Sequence, residues 1–353
     1  MTRVATYASR EMFVQQMLTQ QRRIHDGQVQ VNTEQRSQDY RGLNGDSSRL
    51  VGFELRYERL ARYDANNQSA EIRLKTQEDV VSQVEDAMTK FRAELADFSL
   101  IDMTNGLSAE EQDALDQVQD RAFNTMKSLE MLLNTQVDGQ YLFSGGKIGT
   151  RPVNLANAAG VNFGSLAAFQ TSYNGIGQPW PTNRTDNLDP SFAAYHTPYY
   201  GGDQLEVKHR VDEDRTVTLG INASDGAFEK AFRALGMIAQ GDLANNPTRV
   251  TDAMALLSDS LNHDTDPNSS TYTESSSDLD DLVTRIGNNR VIINDTMERN
   301  KETLSYMAIK ITEIEQIDKV DVVTRMNDDL QALQISFQTL GRIQSLSLAS
   351  YLR

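Results

Sequence analysis

The sequence predicts a mainly α protein: a long antiparallel helical rod, coiled-coil in character, formed by both chain ends and carrying a small β-rich insertion. Three observations predict it. Apolar residues step by three and four through two long proline-free stretches, Leu60 to Phe98 and Leu304 to Leu340. A matching series from Leu115 to Val137 follows the first after a short polar break, as in an antiparallel helical hairpin. Between about 147 and 222 the composition shifts to Gly, Pro, Asn, Thr and aromatics, with alternating runs that read as short strands.

The chain has 353 residues, a net charge of −16 and no cysteine. An acidic balance argues against a nucleic-acid partner, which calls for a basic patch. Without cysteine there are no disulfides, thiol nucleophiles or thiolate metal sites. No apolar run reaches membrane-spanning length, so no membrane insertion is expected, and Met1 to Tyr7 lacks the apolar core of a signal peptide, so any export must use a route without a cleaved signal.

Residues 1 to about 35 form a polar helix with a thin stripe, Phe13, Met17, Ile24 and Val31. Such a helix is marginal alone and needs a second exposed seam, from this chain or a neighbour. Gly42, Asn44-Gly45 and Asp46-Ser47-Ser48 then break the periodicity, and one of the last three caps the next helix. That helix is the most regular: Leu60, Tyr63, Asn67, Ala70, Leu74, Gln77, Val81, Val84, Met88, Phe91, Leu95 and Phe98, a rod of roughly 60 Å in which the polar Asn67 and Gln77 fix register. Asn105-Gly106 closes it, and Ser108 with Glu111 forms a capping box for the returning helix.

The chain leaves that helix through Asp138-Gly139, runs extended over Gln140 to Phe143, and turns on Gly145-Gly146. Strands are expected at Phe169–Tyr173, Gln204–Val211 and Thr216–Ile221, the last two paired across an Asp-Glu-Asp turn, and the insertion is expected to project outward and add little to the helical core. Its aromatics Phe163, Phe169, Tyr173 and Trp180 form either a private core or one shared with the rod. Residues 225 to 239 read as an amphipathic helix; Asn246-Pro247 opens another; His263 to Asp278 is polar. The last helix runs from about Leu304 to Tyr351 through Met307, Ile311, Ile314, an irregular Ile317, Val320 and Val323, then Met326, Leu330, Leu333, Phe337 and Leu340. An alternative start lies before residue 280, since Leu279, Leu282, Ile286, Val291, Ile293 and Met297 lead into this helix. At roughly 70 Å it needs a long partner.

No chemical site emerges. Lys147 is followed by Ile148 and not Ser or Thr, which excludes a phosphate loop. Asp264 to Ser275 starts like a calcium loop but lacks the glycine and the final glutamate. His25, His196, His209 and His263 have no metal-ligand spacing. Glycosylation triplets at Asn183, Asn222 and Asn268 matter only in a secretory pathway. No catalytic, cofactor or metal residues are assigned, and no enzyme activity is expected. What remains is an assembly seam, Phe13, Met17, Ile24, Val31, Met326, Leu330, Leu333, Phe337, Leu340 and Leu346, and a helix-exit motif, Gly139, Tyr141, Phe143 and Gly145.

In chain order the expected segments are a coiled-coil assembly segment (1–45), the first half of the rod (46–146), the outward insertion with its re-entry hairpin (147–222), the second half of the rod (223–318) and a terminal assembly segment (319–353).

The stretch Asn134 to Gly145 is similar to the Asn-x-x-x-x-Gly-x-Tyr-x-Phe-(Ala/Ser)-Gly pattern of flagellar hook-filament junction proteins. Arg3-Val4-Ala5-Thr6, the Gly42 to Arg49 break, Tyr200-Gly201-Gly202 with the Leu205–Asn222 hairpin, and Ile317–Met326 with Ala332–Ile343 extend the likeness over 1–146 and 200–353. The chain thus resembles the bacterial flagellin superfamily, most narrowly its hook-associated junction branch. That resemblance implies an extracellular structural subunit, exported unfolded through the flagellar type III apparatus with a chaperone on the C-terminal helix. It further implies self-association in a ring or tubular lattice, with a hook-side junction protein and flagellin as neighbours. Alternatives are a filament flagellin or, further off, an unrelated coiled-coil scaffold or adhesin.

Overall fold

The computed structural model describes residues 2–98, 107–156, 160–173, 180–182, 184, 188, 198–241, 243, 246 and 248–351, with side chains described within 11–342. In chain order it comprises α1 (Thr2–Thr33), a 3-10 turn (Tyr40–Asp46), α2 (Ser47–Phe98), α3 (Ala109–Leu133), β1 (Gln136–Val137), β2 (Gln140–Tyr141), α4 (Leu166–Ser172), β3 (Lys208–Arg210), β4 (Thr216–Thr218), α5 (Gly226–Ala239), α6 (Thr248–Leu261), α7 (Leu279–Glu315) and α8 (Lys319–Tyr351). The fold is mainly helical with small antiparallel sheets. It divides into two compact units, residues 63–299 and residues 1–62 with 300–353.

In the unit of residues 63–299, the 3-4 series of α2 from Asn67 through Ala70, Leu74 and Gln77 to Phe98 is buried without a gap. The capping box of α3 is present, with Glu111 N donating to Ser108 Oγ (3.3 Å) and Ser108 N to the Glu111 carboxylate (2.7 Å). Arg121 pairs with Glu94 at 2.8 Å while Ala114 and Val118 meet Phe98, so α3 runs back along α2. The Asn105-Gly106 connection lies outside the described residues.

The helix exit differs from expectation. α3 stops at Leu133, and Asp138 (φ 52°) with Gly139 (φ 74°) forms a two-residue loop joining β1 to β2. Positive φ at both loop residues is what a type I′ hairpin demands, so Gly139 serves a turn and not a helix end.

α5 corrects a second reading. All of its fourteen residues are buried, Glu229, Lys230 and Arg233 included, where the sequence reads only as an amphipathic helix. Lys230 Nζ donates to Asp259 Oδ2 (2.7 Å), Asp259 O (2.8 Å) and Ser275 O (2.9 Å). Arg233 makes a two-pronged contact with Glu274 (2.8 and 2.6 Å), bonds Glu229 and donates to Thr182 O (3.0 Å). Burial opposes the Arg233 charge, but these carboxylates outweigh it and hold its pKa above the ordinary value. The polar face is therefore covered by the insertion on one side and the 262–278 segment on the other.

The insertion shares that core. Phe169 and Tyr173 lie 4.9 Å apart by ring centroid, each about as close to Trp180 (5.3 and 4.9 Å), and Tyr199 lies 4.5 Å from Phe232 of α5. All belong to the cluster that contains α2, α3 and α5, so the expectation that the insertion adds little to the helical core is corrected. The strand expected at Phe169–Tyr173 is the helix α4: with no partner strand, helical spacing of four puts both rings on one buried face. Ser165 Oγ caps it by accepting from Ala168 N. The other two strands pair as expected, but only over Lys208–Arg210 and Thr216–Thr218, with His209 opposite Val217.

The polar seam residues of α2 hold this inserted chain. Asn67 Nδ2 donates to Val211 O (3.0 Å) and Gln77 Nε2 to Leu142 O (2.8 Å). Arg290 of α7 bonds Glu71 (2.8 Å) and Glu78 of α2, which ties α7 to α2. The calcium-like stretch is satisfied by its own backbone, Asp264 Oδ1 accepting from Asp266 N and Asp266 Oδ1 from Asn268 N, both at 3.0 Å.

In the other unit, Leu43 and Leu50 pack on Ile314 with Phe53 and Ile311 alongside. The single terminal helix expected from Leu304 to Tyr351 is broken at Gln316–Asp318. There Ile317 N donates to Glu34 O (3.2 Å) and Arg36 N to Glu315 O (2.7 Å). Asp318 Oδ1 then accepts from Val320 N and Asp321 N, an N-cap that restarts the helix as α8.

Two outcomes follow from this packing. A Cβ at Gly236 would overlap the Trp180 indole, a rigid group. Gly236→Ala is expected to destabilise by about 1–3 kcal/mol, against the roughly 1 kcal/mol by which Ala favours a helix. The checks are the denaturant midpoint and a red shift of Trp180 emission in the native state. Separately, burial lowers the His209 pKa below 6.5, and Nε2 contacts Asn67 Oδ1 at 2.8 Å. The native state keeps the ring neutral while the unfolded chain takes a proton near the ordinary value. Stability is thus full above the unfolded pKa and falls as pH drops through it towards the folded pKa. Faster amide exchange at Val211 and Leu219 in that window, flattened in His209→Gln, is the expected result.

Candidate functional site

The two ends of the chain pair as one antiparallel couple, α1 with α8. Glu34 bonds Lys319 at 2.6 Å and Gln35 bridges Gln316, and further along a Cβ at Gly27 would stand 3.7 Å from Met326 Cβ. On α1 Phe13, Met17, Gln20, Ile24, Gly27 and Val31 are turned from solvent in an unbroken alternation of four and three, with Val29 and Gln30 half-buried beside the last turn. Phe13, Met17 and Val31 are half-buried and Ile24 is buried at 7 %. This α8-facing stripe includes Phe13, Met17, Ile24 and Val31 together with the polar Gln20 and the small Gly27.

On α8 the seam is Val322, Met326, Asp329, Leu333, Ser336 and Leu340, with Val322 buried and the rest half-buried. Met326, Leu333 and Leu340 lie on this α1-facing side. Leu330 and Phe337 do not: each lies one residue past a seam position and is exposed, Phe337 at 49 %. Two alternations of three and four pass through Met326, Leu333 and Leu340. The junction at Glu34–Arg36 fixes the rotation of α8 so that Val322, rather than Leu330, faces α1. The side chain of Leu346 lies outside the described residues.

The couple has unlike flanks. On one, Arg23, Asp26 and Gln30 of α1 and Arg325, Asp328 and Asp329 of α8 line an open groove of about 390 Å³ over Gly27. At 3.6 residues per turn, Val14 and Leu18 of α1 fall on the opposite flank, as do Val323, Leu330 and Phe337 of α8. All five are exposed. The antiparallel register brings Phe337 level with the turn between Val14 and Leu18, which places three exposed apolar residues at the far end of that flank.

The helix-exit motif is a fastening between outgoing and returning chain. Tyr141 N donates to Ile148 O (2.9 Å). Phe143 is fully buried edge-on to Phe228, ring centroids 6.0 Å apart, and its carbonyl accepts from Ala223 N (2.9 Å). Gly145 has φ 67°, and any Cβ there would overlap Asp203, whose carboxylate accepts from Gly146 N at 2.6 Å. Asn134 completes it with both amide atoms on Val153, Oδ1 accepting from N (3.0 Å) and Nδ2 donating to O (2.8 Å). Asn134 and Asp203 were not among the expected site residues. Among the described residues no group of three or more His, Asp or Glu converges as a metal site, and no described helix is long and apolar enough to cross a membrane. His196 lies outside the described residues, as do Asn183 and Thr185 of one glycosylation triplet.

No protein-family model matches the sequence, and no curated protein matches it. Among solved structures the chain is similar to Bacillus cereus FlgL, with 9% identity and a TM-score of 0.43 over 76% of this chain and 99% of that one. It is also similar to a structure assigned to a flagellar hook-associated protein from Vibrio parahaemolyticus, with 14% identity and a TM-score of 0.43 over 83% of this chain and 99% of that one.

The seam and the exposed flank make separable demands. Ile24→Ala is expected to cost about 2 kcal/mol of pairing between α1 and α8, and Phe337→Ala under about 0.5 kcal/mol. Hydrogen exchange along α1 measures both: Ile24→Ala speeds it and Phe337→Ala leaves it unchanged.

Proposed function

We propose that this protein is an extracellular structural subunit of the bacterial flagellum and, within that class, the junction protein between hook and filament. The observation that carries the reading is the paired ends, held together on one seam and leaving an apolar flank, Val14, Leu18, Val323, Leu330 and Phe337, open to water. A flank of this kind on a helical couple is suited to burial against a neighbouring subunit. Because the opposite flank is a charged groove, the surface is not self-complementary, which favours head-to-tail contacts that close into rings or continue as tubes. Tyr141-Leu142-Phe143 and the small size of the insertion are what favour a junction protein over a filament flagellin.

In this reading residues 1–45 and 319–353 are the assembly segments, and hook-side junction protein and flagellin are the neighbours. Export proceeds unfolded by the flagellar type III route, with a chaperone on α8 until the flank is buried. The role is structural and not enzymatic.

The combined change Val323→Ser, Leu330→Ser and Phe337→Ser is expected to retain helical content and melting temperature yet abolish incorporation and swimming, leaving secreted subunits in the medium. Normal swimming by that variant would remove the flank from the assembly. Immuno-electron microscopy with an antibody to residues 150–200 decides position: a narrow band beside the hook is expected, labelling along the filament identifies a flagellin, and unlabelled flagella exclude both.

A further inference from the structure

Between α1 and α2 the backbone carries one asparagine in a conformation that side chains other than glycine seldom adopt. Asn44 has φ 47° and ψ −115°. These are the dihedrals of the first central residue of a type II′ turn, the mirror image of type II, and Gly45 follows it. The conformation is held from both sides. Leu43 and Leu50 are buried against Ile314, and Ser47 donates to Asn44 O through its backbone N–H and, at 2.7 Å, through Oγ.

At ψ of about −120° an L residue has its Cα–Cβ bond nearly eclipsed with the C–N bond of the next peptide. The side-chain amide carbon of Asn44 can then reach the Gly45 nitrogen by rotation about Cα–Cβ alone, and a five-membered ring needs little other change. Asn44 is exposed, and the space where a Cβ of Gly45 would stand is open. Nothing there shields the amide carbon from the nitrogen, or the ring from water. The fold presents a near-attack geometry that an unfolded chain visits only in passing.

We infer that Asn44 is a site of spontaneous deamidation through a succinimide, accelerated by the native fold. The Gly45 nitrogen gives up its proton and bonds to the Asn44 side-chain carbonyl carbon, and the bond from that carbon to the amide nitrogen breaks, releasing ammonia. Water then opens the ring at either carbonyl, giving aspartate or isoaspartate at position 44. One water is consumed and one ammonia released, with no oxidation or reduction. The product adds a carboxylate beside Asp46, which already pairs with Arg36 and Arg49 at 3.4 and 3.6 Å. Where the ring opens to isoaspartate, the main chain gains a methylene between the anchored Leu43 and Leu50. The site thereby becomes a chemical clock on the link between the assembly helix α1 and α2. The chemistry is independent of the flagellar reading.

The test incubates the full-length protein folded, and in denaturant at the same pH, followed by peptide mapping with fragmentation that separates isoaspartate from aspartate. Mapping also separates Asn44 from the other Asn-Gly pairs, Asn105-Gly106 and Asn174-Gly175. Conversion at Asn44 severalfold faster in the folded chain, with hydroxylamine cleaving folded protein between Asn44 and Gly45, is the expected result. Conversion no faster folded than denatured overturns the inference. Asn44→Gly, which suits the positive φ, is expected to remove the signal; the wild-type comparison stands even if that variant fails to fold.

Discussion

The constraint on which the larger unit depends is that α5 carries its charges indoors. A buried ammonium or guanidinium without partners is prohibitively costly, so Lys230 and Arg233 must find acceptors wherever they lie. They find them in three different parts of the chain: Asp259 on α6, Ser275 O and Glu274 in the segment after it, and Thr182 O in the insertion. Taking away any of these leaves a buried cation with fewer acceptors, and losing Asp259 would leave Lys230 without its carboxylate partner. The segments with least secondary structure are thus tied to the helix that needs them most. Asp259 extends the tie, since its second carboxylate oxygen accepts from His263 Nδ1 and Asp264 N.

A similar logic operates along α2. In a simple coiled coil an Asn or Gln on the seam costs stability and selects register against a partner helix. Asn67 and Gln77 face incoming chain instead, and each meets a backbone carbonyl that a short strand leaves unpaired. Gln119 of α3 does the same for Gln240 O at the end of α5. Polar seam positions mark where non-helical chain crosses the helical layer. The insertion and the helices therefore fold as one body, with the aromatics of one closing the hydrophobic core of the other.

Much of this was legible in the sequence, and the failures have identifiable causes. The α2 seam was read residue by residue because its period is unbroken and its partner helices lie on one side. The capping box at Ser108 was legible because it is local. The full burial of α5 was not legible, because an amphipathic pattern looks the same whether its polar face meets water or a lid made of distant chain. Phe169–Tyr173 looked like a strand because an aromatic run carries no period, and only the shared core decides that four residues apart means one face. The face of α1 that meets α8 follows from the sequence, where the apolar stripe is thin and admits one phase. On α8 two phases pass through Met326, Leu333 and Leu340, and the choice between them is made by a junction with Glu34 and Arg36 that no local pattern announces.

That second phase is informative in its own right. A helix required to satisfy one partner needs one seam, and residues beside it are free to become polar. α8 keeps Val323, Leu330 and Phe337 at seven-residue intervals one step from its seam. It thus carries two overlapping heptad patterns, one spent on α1 and one left over. A helix built this way is under-satisfied in the isolated chain, since its own partner contributes a narrow stripe interrupted by Gln20 and Gly27. Burial of the remaining pattern by a neighbour would stabilise the pairing by mass action, so the order of the two ends would depend on assembly rather than precede it. Weak intramolecular pairing then follows from the design of the surface: a seam strong enough to lock α1 to α8 in the monomer would leave less to gain when the second pattern is covered.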